Sequence, residues 1–197
     1  LRDVLVPLGQ LELGVPGRHN ILNALAAVAV ADELGVEFRT AAEALAGFQG
    51  AERRFERHGD ADGVTIIDDY GHHPTELAAV LSAARSMFDR RLVVVFQPHR
   101  YSRTAQLLDE FGPSLRQADE ILLTDIYSAG EEPLPGITIE ALADSIRRGS
   151  GRPTRVVGRL DDVVTDLVTH ARPGDVVLTL GAGSIGTLPA QIGRAHV

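Results

Sequence analysis

Short apolar runs at 64–67, 92–96, 121–124, 155–157 and 176–180 recur along the chain, each bounded by polar or turn-forming residues. Each is too short for a helix and too evenly apolar for a strand with one wet face, so they predict strands buried on both sides. Helix-period stretches lie between them, at 74–88, 104–117 with a break near Gly112-Pro113, 138–148 and 161–171. Pro74 stands at a first helical position. Such an alternation predicts an α/β fold with a mostly parallel sheet and helices on both faces.

The first fifty residues read differently. Residues 1–15 alternate loosely, with Leu11-Glu12-Leu13 as a candidate strand, and 14–17 is turn material. Ile21, Leu22, Leu25, Val28 and Ala29 keep helical spacing over 20–34, and Gly35 is a natural stop. A second short helix is expected over 40–48, ending at Gly50. The charged stretch 52–56 carries no core pattern, so a domain boundary is placed near Gly50: residues 1–50 on one side, 51–197 on the other.

Composition narrows the functional classes. Hydrophobic residues make up 44% of the 197 and charged ones 23%, as in an ordinary soluble domain. A net charge of −8 argues against a general nucleic-acid or membrane-surface role, so any anion site must be local. The absence of cysteine excludes disulfides and thiolate metal sites and fits a reducing, cytoplasmic setting. No apolar run is long enough to span a membrane and no signal peptide is seen. The chain opens on Leu1 inside a structured pattern, which is expected of a piece of something longer.

Polar clusters follow three of the strands: 68–74 (DDYGHHP), 97–103 (QPHRYSR) and 124–131 (TDIYSAGE). Ligands in open parallel sheets bind beyond the strands' carboxyl ends, where such loops meet. Arg100 and Arg103 next to His99 repel one another unless an anion satisfies them. Either Asp68 and Asp69 do so internally, or the arginines await a carboxylate or phosphate, which a guanidinium fork binds bidentately. A metal at His72, His73 and His99 is not expected, because adjacent histidines rarely both ligate and no carboxylate stands at a familiar metal spacing. Gly181-Ala182-Gly183-Ser184-Ile185-Gly186 fits G-x-G-x-x-G after a strand. It lies on the last strand, with no acidic ribose partner ~20 residues on, so close packing of a tight turn is the plainer expectation. Arg53-Arg54 reads as a charged linker or as a residue reaching across a cleft, and Asn20 with Asn23 as capping and an exposed polar face.

Taken together, PGRHNILNALAA (16–27), RRFE (53–56), DDYGHHPTE (68–76), PHRYSRT (98–104) and DIYSAGE (125–131) resemble the Mur ligases, the ATP-dependent amino-acid ligases of peptidoglycan synthesis. HRYSRT in order after DDYGHHPTE is specific to the alanine-adding branch. The resemblance covers nearly the whole chain. It implies that 1–50 is the end of a central ATP-binding domain and 51–197 a C-terminal Rossmann-like amino-acid-binding domain. These residues hold no G-x-x-x-x-G-K-[ST], no UDP-sugar domain and no expected Mg²⁺ ligands, so activity from this piece alone is not implied.

The implied reaction uses ATP to phosphorylate the lactyl carboxylate of UDP-N-acetylmuramate, after which the amine of L-alanine displaces phosphate. By resemblance, Asn20 and Asn23, with His19 nearby, contact adenine, and Arg54 reaches the terminal phosphate. Asp68 is associated with ribose and hinge. Tyr70, His72, His99, Arg100 and Arg103 form the amino-acid pocket, with His72, His99, Arg100 and Arg103 as the catalytic group. His72, His99 or water would take the proton from the ammonium. Three other readings stay open: a related ligase joining another amino acid or peptide, a dinucleotide-binding domain of an oxidoreductase resting on 181–186, and a non-enzymatic interaction domain.

Overall fold

The computed structural model describes residues 7–195. The first part of the expected alternation over 1–15, residues 1–6, lies outside them. The chain divides into two compact units, Leu1–Ala51 and Glu52–Val197.

The first unit is a helix pair, α1 (Arg18–Glu33) and α2 (Phe38–Ala46). Ala24 and Val28 of α1 are buried, whereas Ile21, Leu22 and Leu25 are more than half exposed. Gly35 takes φ +74 just past α1, the left-handed stop expected of it. Leu11-Glu12-Leu13 is not a strand, correcting that expectation. A strand needs a neighbour to pair with, and the described part of this unit contains only helices.

The second unit is a six-stranded sheet. Its strands are β1 (Glu56–Ala61), β2 (Val64–Asp69), β3 (Leu92–Phe96), β4 (Glu120–Thr124), β5 (Thr154–Gly158) and β6 (Val176–Leu180). They lie in the order β1-β2-β6-β3-β4-β5, with β1 antiparallel to β2 and every other pairing parallel. The register sets Asp69 against Leu180, Leu180 against Phe96 and Phe96 against Leu123, so four strands deliver their loops at one level.

Helices α3 (Pro74–Met87), α5 (Phe111–Ser114) and α6 (Ile139–Ser150) cover one face. There Leu81, Phe111 and Leu142 pack on Ile67, Val94 and Phe96. Helices α7 (Leu160–His170) and α8 (Leu188–Ala195) cover the other, with Val163, Leu167 and Leu188 on Ile66, Val95 and Val177. Each such fully buried side chain contributes about 1.5–3 kcal/mol relative to exposure. The α/β expectation, a mostly parallel sheet with helices on both faces, is therefore met.

Two expectations are corrected. β1 and its hairpin fall in a stretch read as linker and as a turn over 60–63; the turn itself is only Asp62-Gly63. β1 is an edge strand with a register shift between Arg57 and Gly59, and only its last residue, Ala61, is buried, so no apolar period marks it. The expected helix over 104–117 is two pieces, α4 (Tyr101–Gln106) and α5, broken at 107–110 rather than at Gly112-Pro113. The break brings α5 backbone-to-backbone with α6: a Cβ on Gly112 would stand 2.7 Å from the Gly149 Cα.

Candidate functional site

The loops after β2, β3 and β4 meet beyond the carboxyl edge of the sheet. Side chains from all three form a row of rings. Tyr70 meets His72 edge-on at 5.5 Å between centroids, His72 meets His99 at 5.4 Å, and Tyr127 stacks on His99 at 5.6 Å with an interplanar angle of 17°. Although β6 separates β2 from β3, it ends in small residues, Gly181-Ala182-Gly183, which let the flanking loops touch across it.

Each loop has a local cause. After β2, the Asp69 carboxylate accepts the Gly71 N–H at 2.7 Å and turns the chain outward. His73 then caps α3, and the Glu76 carboxylate accepts both the His72 and the His73 N–H at 3.0 Å. After β3, Arg100 sits at φ +73 and launches α4. After β4, the Tyr127 N–H donates to the Pro98 carbonyl at 2.9 Å and the Arg100 N–H to the Tyr127 carbonyl at 2.8 Å. A short parallel bridge, His99 with Tyr127, thus extends the β3–β4 pairing into the site.

The hydrogen bonds assign the two imidazoles opposite states. The Arg103 guanidinium donates to His99 Nδ1 at 3.0 Å and to the His99 carbonyl at 3.2 Å. A guanidinium only donates, so Nδ1 accepts and the proton of His99 lies on Nε2. Burial, then the neighbouring His72, Arg103 and Arg100, push His99 below its ordinary 6.5, with Glu131 opposing, which favours its neutral form. His72 Nδ1 lies 3.1 Å from the Tyr70 carbonyl, which only accepts. Nδ1 of His72 therefore carries a proton, which in the neutral ring places the lone pair on Nε2.

Arg100 and Arg103 are not neutralised by Asp68 and Asp69, which corrects that alternative. Arg100 is half exposed and lies 3.9 Å from Glu131. Asp68 is fully buried, bonded to Arg53 Nε at 2.6 Å and to the Thr179 hydroxyl at 2.5 Å. Asp69 spends its second oxygen on the Phe55 N–H at 2.8 Å, and burial raises its pKa despite these N–H partners.

Residues 53–55 form a strap over the ends of β2 and β6. Arg53 also donates to the Gly181 carbonyl at 2.7 Å, its own carbonyl accepts the Tyr70 N–H at 2.7 Å, and Arg53 and Phe55 both adopt positive φ. Arg54, between these anchors, is exposed, its guanidinium 5.6 Å from the centre of the Tyr70 ring. In the first unit, Asn20 donates to the Pro16 carbonyl at 2.7 Å, and Asn23 is exposed one turn on.

The glycine run is a packed turn. A Cβ on Gly183 would come within 2.6 Å of both Gln97 Oε1 and the Tyr127 ring, and Gln97 Oε1 accepts the Ile185 N–H at 3.0 Å. The space and the N–H that a pyrophosphate would take are filled from within, which corrects the dinucleotide reading. Gln97, Tyr127 and Glu131 shape the site without a role expected from sequence, and Arg53, expected as linker or cleft-spanning residue, is instead bonded to Asp68 and the Gly181 carbonyl. Their signal is position alone: Gln97, Tyr127 and Glu131 follow strand ends, and Arg53 lies just before β1.

Residues 53–183 match the family model described as Mur ligase, glutamate ligase domain. Over 179 residues the chain is 55% identical to the UDP-N-acetylmuramate–L-alanine ligase of Anaeromyxobacter sp. (strain Fw109-5), covering 91% of this chain and 39% of that protein. The crystal structure of the UDP-N-acetylmuramate–alanine ligase of Thermotoga maritima superposes with a TM-score of 0.78 at 33% identity, covering 94% and 39% respectively. A murein peptide ligase from Psychrobacter arcticus gives a TM-score of 0.69 at 29% identity, covering 94% and 38%. The chain spans about two fifths of the length of these relatives. Fold, converging loops and these likenesses agree: the chain belongs to the Mur ligase family.

Proposed function

We propose that this chain is the amino-acid-binding part of an ATP-dependent ligase that joins L-alanine to the lactyl carboxylate of UDP-N-acetylmuramate, in peptidoglycan synthesis in the cytoplasm. The observation that carries the reading is the convergence of Tyr70, His72, His99, Arg100 and Arg103 from two loops, with Arg100 half exposed and 3.9 Å from Glu131. The names of the aligned ligases supply the substrate.

Free alanine offers a carboxylate, an ammonium and a methyl. Arg100 and Arg103 grip the carboxylate through charge-assisted bonds. His72 Nε2, with its lone pair free, takes the proton that makes the ammonium a nucleophile. His99, its Nδ1 held by Arg103, donates through Nε2 toward oxygen charge developing as the amine adds to the acyl phosphate. Phosphate leaves and the amide remains.

Arg54 reaches the nucleotide's terminal phosphate, and Asn20 and Asn23 hold adenine. Asp68 acts at one remove, fixing the strap that carries Arg54. A magnesium ion would neutralise the phosphates. Its ligands are expected in the N-terminal and central parts of the full-length protein; among the described residues no group of three or more metal-ligating side chains occurs. No helix among the described residues is long and apolar enough to cross a membrane.

The test is Arg103→Ala in the full-length protein. The KM for L-alanine is expected to rise and turnover to fall; if both stay unchanged the pocket assignment is wrong. His72→Asn separates the two histidines: a fall in turnover with little change in the KM for L-alanine is expected for the loss of the base. A second reading, a ligase for another amino acid or a peptide, is favoured by the likeness to the murein peptide ligase. Phosphate release by the full-length protein across a panel of amino acids and short peptides decides between them.

A further inference from the structure

The loop after β4 contributes more than a wall. Arg100 adopts φ +73, a conformation L side chains take only where their surroundings enforce it. Two of the enforcing bonds are backbone to backbone, from the Arg100 N–H to the Tyr127 carbonyl and from the Tyr127 N–H to the Pro98 carbonyl. The third is made by a side chain. Glu131 accepts the Ser102 N–H at 2.9 Å on one carboxylate oxygen and the Ser102 hydroxyl at 2.7 Å on the other. The Arg100 guanidinium stands 3.9 Å away.

Glu131 is itself aimed by a tight turn. Ala129 and Gly130 both take positive φ, and the Glu131 N–H returns to the Ser128 carbonyl at 3.1 Å. The carboxylate therefore reaches back to the first turn of α4, the helix that carries Arg103. His99, Arg100 and Arg103 lie immediately before and after the peptide it grips.

We propose that Glu131 is a positioning residue for the amino-acid pocket, holding the turn over 98–103 in the strained shape that presents His99, Arg100 and Arg103 together. The proposal rests on the function argued above and adds to it a residue that touches no substrate.

The experiment compares Glu131→Gln, Glu131→Ala, Ser102→Ala and Arg103→Ala in the full-length protein, measuring KM for each substrate, turnover and melting temperature. Loss of positioning at a strained turn misplaces the arginines, so Glu131→Ala raises the KM for L-alanine on the order of tenfold or more. Glu131→Gln, which keeps one acceptor, and Ser102→Ala, which loses one bond of two, raise it less. The KM values for ATP and UDP-N-acetylmuramate and the melting temperature stay near wild type. An unchanged KM for L-alanine in Glu131→Ala, beside a raised one in Arg103→Ala, overturns the positioning role alone. A common rise in all three KM values with a lowered melting temperature overturns it too, as a general structural effect. If Arg103→Ala also leaves L-alanine binding intact, the pocket reading falls and this inference with it.

Discussion

Arg53 and Asp68 make an ion pair whose cost of disruption follows from its burial. The Asp68 side chain is 1% exposed and that of Arg53 23%, with 2.6 Å between Nε and Oδ2. Removing one partner leaves the other charge desolvated and unpaired, which costs about 3–5 kcal/mol. Arg53→Met also frees the Gly181 carbonyl, but Asp68 keeps the Thr179 hydroxyl, and these effects oppose each other. For a unit of this size each kcal/mol moves the melting temperature by roughly 2–4 °C, so a drop of about 6–20 °C is expected. The double variant Arg53→Met with Asp68→Leu removes both charges and is expected to lose less than either single change. The chain has no tryptophan, so far-UV circular dichroism during urea and thermal unfolding is the suitable probe. A cost below about 1 kcal/mol for Arg53→Met, or additive losses in the double variant, would refute the reasoning from burial.

Glu76→Ala removes the acceptor for two N–H groups at the start of α3 and is expected to cost about 0.5–2 kcal/mol, read from urea midpoints. Gly183→Ala drives a methyl into Gln97 and the Tyr127 ring; a loss of about 1–3 kcal/mol is expected, with weaker amino-acid binding in the full-length protein because the ring sets the face of His99. Acid should destabilise the fold in a defined window. Burial pushes Glu76 and Asp119 up, but backbone N–H groups at Glu76, and Arg85 with the Leu92 N–H at Asp119, outweigh it and hold both below their ordinary 4.5 and 3.8. The folded state thus binds these protons less readily than the unfolded one. The stability they contribute is present above those ordinary values and is lost as pH falls through the lowered ones. Asp69, raised by burial, works the other way, favouring the fold until pH climbs through its raised value. Urea midpoints measured from pH 6 to pH 3 should fall, and a flat profile would contradict the assignment.

The sheet was legible where burial is two-sided. The runs 92–96 and 176–180 are strands at their anticipated limits because β3 and β6 are covered on both faces and admit only apolar side chains or threonine. β1 was not legible, since an edge strand with solvent on most of its residues has no apolar period to show. The polar loops were visible as strand-end clusters, and Tyr70, His72, His99, Arg100 and Arg103 do come close in space. Their internal partners were not visible. Composition offered Asp68 to Arg100 and Arg103, but pairing depends on which backbone crosses the end of β2, and that is the strap carrying Arg53. Tyr127 and Glu131 acquire meaning only through a parallel bridge between distant segments, which no local pattern encodes.

The place of β6 has a consequence for how the protein comes into being. Made after the five strands it completes, β6 is the centrepiece between β2 and β3, and among the described residues no other strand joins the β1-β2 hairpin to the β3-β4-β5 ribbon. Until Leu180 has been synthesised, a nascent chain holds two half-sheets, each with a raw apolar margin open to neighbouring polypeptides. Truncation before Val176 should therefore yield inclusion bodies rather than a smaller soluble domain, and assembly on the ribosome must wait for β6.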